Sequence, residues 1–212
     1  MIIAEAGQNH LGNMGLAKDL IKLAHKNGAD LCKFQLYDHN ILYADHPEIP
    51  DAELSFEQAK MLFDYGESIG IEVFFSVFDL ERVSWCEEIG VKRYKVAYNQ
   101  RNNEELLLFI GLTGKPIIIS SDEPTEYETL YCVSKYPASA GDFNLDKLYL
   151  FDGISDHTVG TSMARMVMSL WNKSVEKHFA IDHKTGVDAP WSMTPMELRE
   201  LSKWNSTVLT CG

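Results

Sequence analysis

The chain has 212 residues, 45% hydrophobic and 24% charged, a globular composition that excludes an intrinsically disordered protein. Its formal net charge of -12 excludes the basic footprint of a nucleic-acid-binding surface, so an anionic ligand would need a local basic pocket. The length suits one domain, and no apolar run approaches a membrane span.

The first apolar run, "IIAEAG", reads as a strand. It leads into "GLAKDLIKLAHKNG", where Leu16, Leu20, Ile21 and Ala24 recur at helical spacing up to Gly28. A second strand, "ADLCKFQL", is followed by a long loop, "YDHNILYADHPEIPDAEL", in which Pro47 and Pro50 oppose regular structure. Ser55 is placed to cap the next helix and Gly70 to end it. The strand "IEVFFSVF" precedes the helix "DLERVSWCEEIG", and "RYKVAY" precedes "NEELLLFIGLTG". "KPIIISS" is followed, after only "DEPTEY", by "ETLYCVS", a gap too short for a crossover helix. "FNLDKLYLF" has room for a short helix, "DGISDH" precedes "SMARMVMSLWNK", and "SVEKHF" precedes "TPMELRELSKW".

Eight strands alternating with helices imply a parallel sheet covered on its faces. The expected fold is α/β: a (β/α)8 TIM barrel over residues 1–212, one domain, with one crossover helix missing. An open doubly wound sheet is the alternative. Cys32, Cys86, Cys132 and Cys211 show no metal-finger spacing, and Cys32 and Cys132 lie in apolar runs as reduced thiols do. With no signal-peptide pattern in "MIIAEAGQNH", the expected location is the cytoplasm.

Alternate residues of a strand share a face. On one parity stand Glu5, Lys33 with Gln35, Lys95, Ser120, Ser134 with Tyr136, Ser155 with His157, and Glu176 with His178. The other parity carries Ile2, Ala4, Cys32, Phe34, Tyr94, Val96 and Val133. The polar parity should point into the barrel, and its residues crowd the C-terminal strand ends where barrel active sites lie. His157 and His178, on adjacent strands, could share a divalent metal with positions left open. Lys33 and Lys95, with Ser76, Ser120, Ser134 and Ser155, form a candidate phosphate cradle. Glu5 is a carboxylate for proton transfer or for stabilising positive charge, or else the partner of a lysine, since Lys33 could also pair with Glu176.

The stretches "IAEAGQNHLGNMGLAKDLIKLAHKNGADLCKFQ", "FDLERVSWCEEIGVKRYKVA", "GKPIIIS", "YCVSKYPA", "ISDHTVG", "VEKHF" and "GVDAPWSMTPMEL" resemble, in order, the sialic acid (N-acetylneuraminate) synthases. The resemblance implies condensation of phosphoenolpyruvate with an N-acetylmannosamine-like amino-sugar aldehyde, giving a 2-keto acid and phosphate. It implies His157 and His178 as metal ligands, and Lys33, Lys95, Ser120, Ser134 and Ser155 as phosphoenolpyruvate contacts. Glu5 would stand beside the reacting carbons, and Gln35, Tyr136 and Asp188 would contact the sugar. Manganese is the implied cofactor, with Zn2+, Fe2+, Mg2+ and Co2+ left open.

The sequence departs from the family pattern at Val77, where a hydroxyl is usual, and at Tyr98 and Gln100, where a serine and an acidic residue are usual. The chain stops soon after its last helix, so the family's small C-terminal antifreeze-like domain, which caps the partner's site, is expected to be absent. The alternatives are condensation with a different aldehyde, or a pseudoenzyme that binds metal or phosphate and acts as a partner or regulator. A homodimer is left open; nucleic-acid and membrane partners are not expected.

Overall fold

In the computed structural model, which describes residues 1–46 and 52–210, eight parallel strands close into a barrel in sequence order. They are β1 (Ile2–Gly7), β2 (Leu31–Leu36), β3 (Glu72–Val77), β4 (Tyr94–Val96), β5 (Ile117–Ser121), β6 (Glu128–Cys132), β7 (Gly153–Asp156) and β8 (Ser174–His178). β1 pairs with β2 on one side and β8 on the other, which excludes the open sheet.

The helices are α1 (Met14–Lys26), α2 (His39–Leu42), α3 (Phe56–Ile69), α4 (Leu80–Ile89), α5 (Glu104–Gly111), α6 (Ser162–Trp171) and α7 (Pro195–Thr210). Ser55 caps α3 through a reciprocal capping box with Gln58, and Gly70 ends it in the left-handed conformation. No helix joins β5 to β6, and β6 reaches β7 through 3-10 turns at Ala140–Asp142 and Leu145–Leu150. The long loop after β2 is more regular than expected: Asp38 accepts hydrogen bonds from the N–H groups of Asn40 and Ile41 and so starts α2. Pro47, Pro50 and Cys211 lie outside the described residues. Among the described residues no helix is long and apolar enough to cross a membrane.

Strand parity divides the interior into two apolar regions. Ile2, Ala4, Cys32, Phe34, Phe75, Tyr94, Val96 and Val175 face the helices and form the main core. Ile3, Leu31, Phe74, Ile118 and Leu130 point inward and plug the barrel. Each such side chain contributes about 1.5–3 kcal/mol by leaving water. Above the plug the same inward parity turns polar.

Candidate active site

The polar cup begins one layer above the plug. Glu5 lies opposite Lys33 in the β1–β2 ladder and opposite His178 in the β1–β8 ladder. Lys33 forms an ion pair with Glu5, donates to Ser76 Oγ at 2.8 Å, and lies 3.8 Å from Glu176 Oε2. Lys95 donates to Ser120 Oγ at 2.6 Å and lies 3.7 Å from Glu176 Oε1. Ser155 donates to the same Glu176 oxygen at 3.1 Å. Both lysines therefore lean on one carboxylate, and all four charged groups are buried.

Electrostatics follow from that arrangement. Burial opposes ionisation of Glu176, but Lys33 and Lys95 outweigh it and hold its carboxyl below the usual range. Burial also opposes the Lys33 ammonium, and here Glu176 and Glu5 prevail and raise its pKa. For Lys95 burial wins, and Glu176 offsets it only in part. Of the two cavity lysines, Lys95 is thus the one whose charge an incoming anion would favour.

His157 and His178 meet at the mouth, their ring centroids 5.4 Å apart. Each ring is oriented through Nδ1. That of His157 lies 3.0 Å from Val133 O, and that of His178 lies 3.1 Å from Asp188 Oδ2. The carbonyl contact places the His157 proton on Nδ1 and leaves Nε2 open, the usual preparation of a metal-binding imidazole. Burial, and then the neighbouring His178, pull the His157 pKa down to about 3, keeping that ring neutral. Among the described residues no group of three or more His, Cys, Asp or Glu could hold a metal ion. A cation at the mouth would have at most the two imidazoles as protein ligands, with its remaining positions left to water or substrate.

One cavity of about 420 Å³ gathers all the residues singled out from sequence: Glu5, Lys33, Gln35, Ser76, Lys95 and Ser120 on its first strands, then Ser134, Tyr136, Ser155, His157, His178 and Asp188. Ser134 and Tyr136 lie beyond the end of β6 and are exposed at the rim. Tyr136 stacks at a tilt over His157, with ring centroids 4.3 Å apart.

Two of the departures from the family pattern lie off the cavity. Val77 is packed in the helix-facing core, on the opposite parity from Ser76, so it removes nothing from the cavity wall. Gln100 does not line the cavity and accepts a hydrogen bond from Asn103 instead. Tyr98 does line it, with the Arg101 guanidinium 3.8 Å from its ring centroid.

Sequence reasoning left out several residues of the site. Glu176 was visible only as a possible lysine partner, although its inward parity placed it among the lysines. Asn9 gave no signal. Its Oδ1 accepts the Asp188 N–H at 2.8 Å, and its Nδ2 donates to Phe179 O and Ser192 Oγ. Asn9 thereby fixes the segment carrying Asp188. Gly186 makes this approach possible, since a Cβ there would stand 2.3 Å from Asn9 Oδ1. Gly7 serves Glu5 in the same way: at φ +50, a Cβ would lie 3.0 Å from Glu5 Oε1 and 3.3 Å from Gln35 Nε2.

Fold and cavity together define a (β/α)8 barrel with a mixed cationic, acidic and imidazole site at the C-terminal ends of its strands. The chain belongs to the NeuB family, whose model matches residues 20–129 and 121–210. An uncharacterised protein of Methanocaldococcus jannaschii is 33% identical over 94% of this chain and 68% of its own length. The N,N'-diacetyllegionaminic acid synthase of Legionella pneumophila is 30% identical over 94% of this chain and 69% of its own. Among solved structures, the N-acetylneuraminic acid synthetase of Leptospira borgpetersenii, in complex with citrate, superposes with a TM-score of 0.90 at 28% identity. That match covers 99% of this chain and 84% of the synthetase chain.

Proposed function

We propose that the protein condenses phosphoenolpyruvate with an N-acetylmannosamine-like amino-sugar aldehyde to give a sialic-acid-type 2-keto acid and phosphate. The observation that carries this reading is the convergence of both lysines, both histidines and Glu5 on one cavity in a chain of the NeuB family. Lys33 and Lys95, with Ser76, Ser120, Ser134 and Ser155, hold the phosphate and carboxylate of phosphoenolpyruvate. Lys33, Lys95 and Ser155 are already held by Glu176, and Ser76 and Ser120 by the two lysines, so these donors lose little freedom on binding. Gln35, Tyr136 and Asp188 receive the sugar at the rim. A divalent metal, manganese on the family resemblance, held by His157 and His178 would supply Lewis-acid polarisation of the aldehyde. Attack of phosphoenolpyruvate C3 on the aldehyde carbon leaves positive charge at C2. The Glu5 carboxylate, anchored by Lys33 and by Gln35 Nε2 at 2.9 Å, stabilises that charge. Water adding at C2 then allows the C–O bond to break and phosphate to leave.

Tyr98 supports a narrower variant. An aromatic ring on the cavity wall alters the space beside the phosphate cradle, which favours an acceptor differing from N-acetylmannosamine in size or substitution. The test is incubation with phosphoenolpyruvate, manganese and a panel of amino sugars. The synthase reading expects phosphate and 2-keto acid in equal amounts, both dependent on the sugar. Binding of metal and phosphoenolpyruvate without turnover of any sugar would establish the pseudoenzyme alternative.

A further inference from the structure

Behind the two histidines lies a charge pair that the proposed chemistry does not touch. Asp156 and Lys177 directly precede His157 and His178, and they are ladder partners between β7 and β8. They occupy the opposite parity from the histidines and point away from the cavity toward the helices. Lys177 Nζ lies 3.3 Å from Asp156 Oδ2, and both side chains are wholly shielded from solvent. Lys177 also donates to the carbonyl oxygens of Thr158 and Asp156, the latter at 3.4 Å. Asp156 Oδ1 accepts from the Thr158 N–H at 2.8 Å and from its Oγ1 at 2.7 Å.

The consequence is mechanical. The residue that precedes His178 grips the carbonyl on each side of His157. Asp156 closes the same turn from the other side. A single side chain therefore ties together the backbones that carry the two rings. Stability alone does not explain the arrangement, because replacing a buried ion pair with apolar groups is often neutral or stabilising. A pair that fixes the separation of two ligands does explain it, since ligand geometry must hold within a fraction of an ångström.

From this we infer that Asp156 and Lys177 are positioning residues that set the spacing of His157 and His178 for a shared divalent cation. The inference rests on the metal reading of the histidine pair, and its test keeps the two apart. Mn2+ binding is measured by titration calorimetry on the full chain, without sugar, beside phosphoenolpyruvate binding and thermal unfolding. Asp156→Asn combined with Lys177→Met removes both charges at nearly constant volume. The expected result is a tenfold or greater loss of Mn2+ affinity, with phosphoenolpyruvate affinity in metal-free buffer unchanged within twofold.

Thr158→Val is the gentler second variant, removing only the hydroxyl bound by Asp156. It should weaken Mn2+ by threefold or more while remaining folded. Mn2+ affinity equal to that of the unmodified protein, in whichever of these variants folds, overturns the positioning role. If His157→Ala and His178→Ala abolish Mn2+ binding while these variants keep it, the metal reading stands and the positioning inference alone fails. If the unmodified protein binds no Mn2+, or binds it equally well without the histidines, both fail.

Discussion

Glu5 and Lys33 are direct partners in the β1–β2 ladder and also an ion pair inside the barrel. Adjacent strands place their inward side chains side by side, so two opposite charges one layer above an apolar plug meet without any loop to position them. The pair holds the Glu5 carboxylate in place at the point where positive charge is proposed to develop. Glu5→Gln preserves the Gln35 contact and leaves Glu176 near Lys33. The expected outcome is a fall in kcat of about 100-fold or more, with the KM for phosphoenolpyruvate unchanged or lower. Steady-state kinetics in both substrates checks it.

Lys95 is the more exchangeable cation, because burial already weighs against its charge and Glu176 is its nearest carboxylate. Lys95→Met should raise the KM for phosphoenolpyruvate by about tenfold or more and that for the sugar by less than threefold. Equal effects on both substrates would remove Lys95 from the cradle.

The two wall substitutions should behave differently. Val77 is buried among the helix-facing side chains, so Val77→Thr places a hydroxyl in an apolar site. It should destabilise the fold by about 1–2 kcal/mol without improving phosphoenolpyruvate binding. Tyr98→Ser, on the cavity side, should change the order of preference among amino-sugar acceptors. Denaturant unfolding and a sugar panel separate the two outcomes.

His10 supplies a pH dependence outside the catalytic cup. Its ring is fully buried edge-on to Phe34, with 5.7 Å between centroids. Burial lowers its pKa from 6.5 to about 4. The unfolded chain takes up a proton near pH 6.5 and the folded chain only near pH 4, so the unfolded state binds more protons in between. This contribution to stability is complete above that window and is lost as pH falls through it. The loss is about 2 kcal/mol between pH 7 and 5. Unfolding of His10→Gln and the unmodified protein at both pH values should show a correspondingly smaller slope in the variant.

Much of this site was legible because a strand repeats every two residues. Lys33 and Gln35, Ser155 and His157, and Glu176 and His178 declare their shared face by spacing alone, and eight strands, most followed by a helix, point to the barrel. The missing crossover helix was legible from the six residues between β5 and β6. Contacts made by irregular backbone were not. Asn9 reaches Asp188 across 179 positions of chain, and the α2 turn brings Tyr43 to Gln8, neither of which has any periodicity to read. The departure at Val77 did not show by itself which side of the wall it lies on; strand parity, opposite to that of Ser76, places it in the helix-facing core.

The most direct test is diffraction at the manganese edge from crystals grown with Mn2+ and phosphoenolpyruvate. The account predicts one anomalous peak coordinated by Nε2 of both His157 and His178, with the phosphoryl group in contact with Lys33 and Lys95. A metal bound elsewhere, or phosphoenolpyruvate seated away from the two lysines, would contradict it.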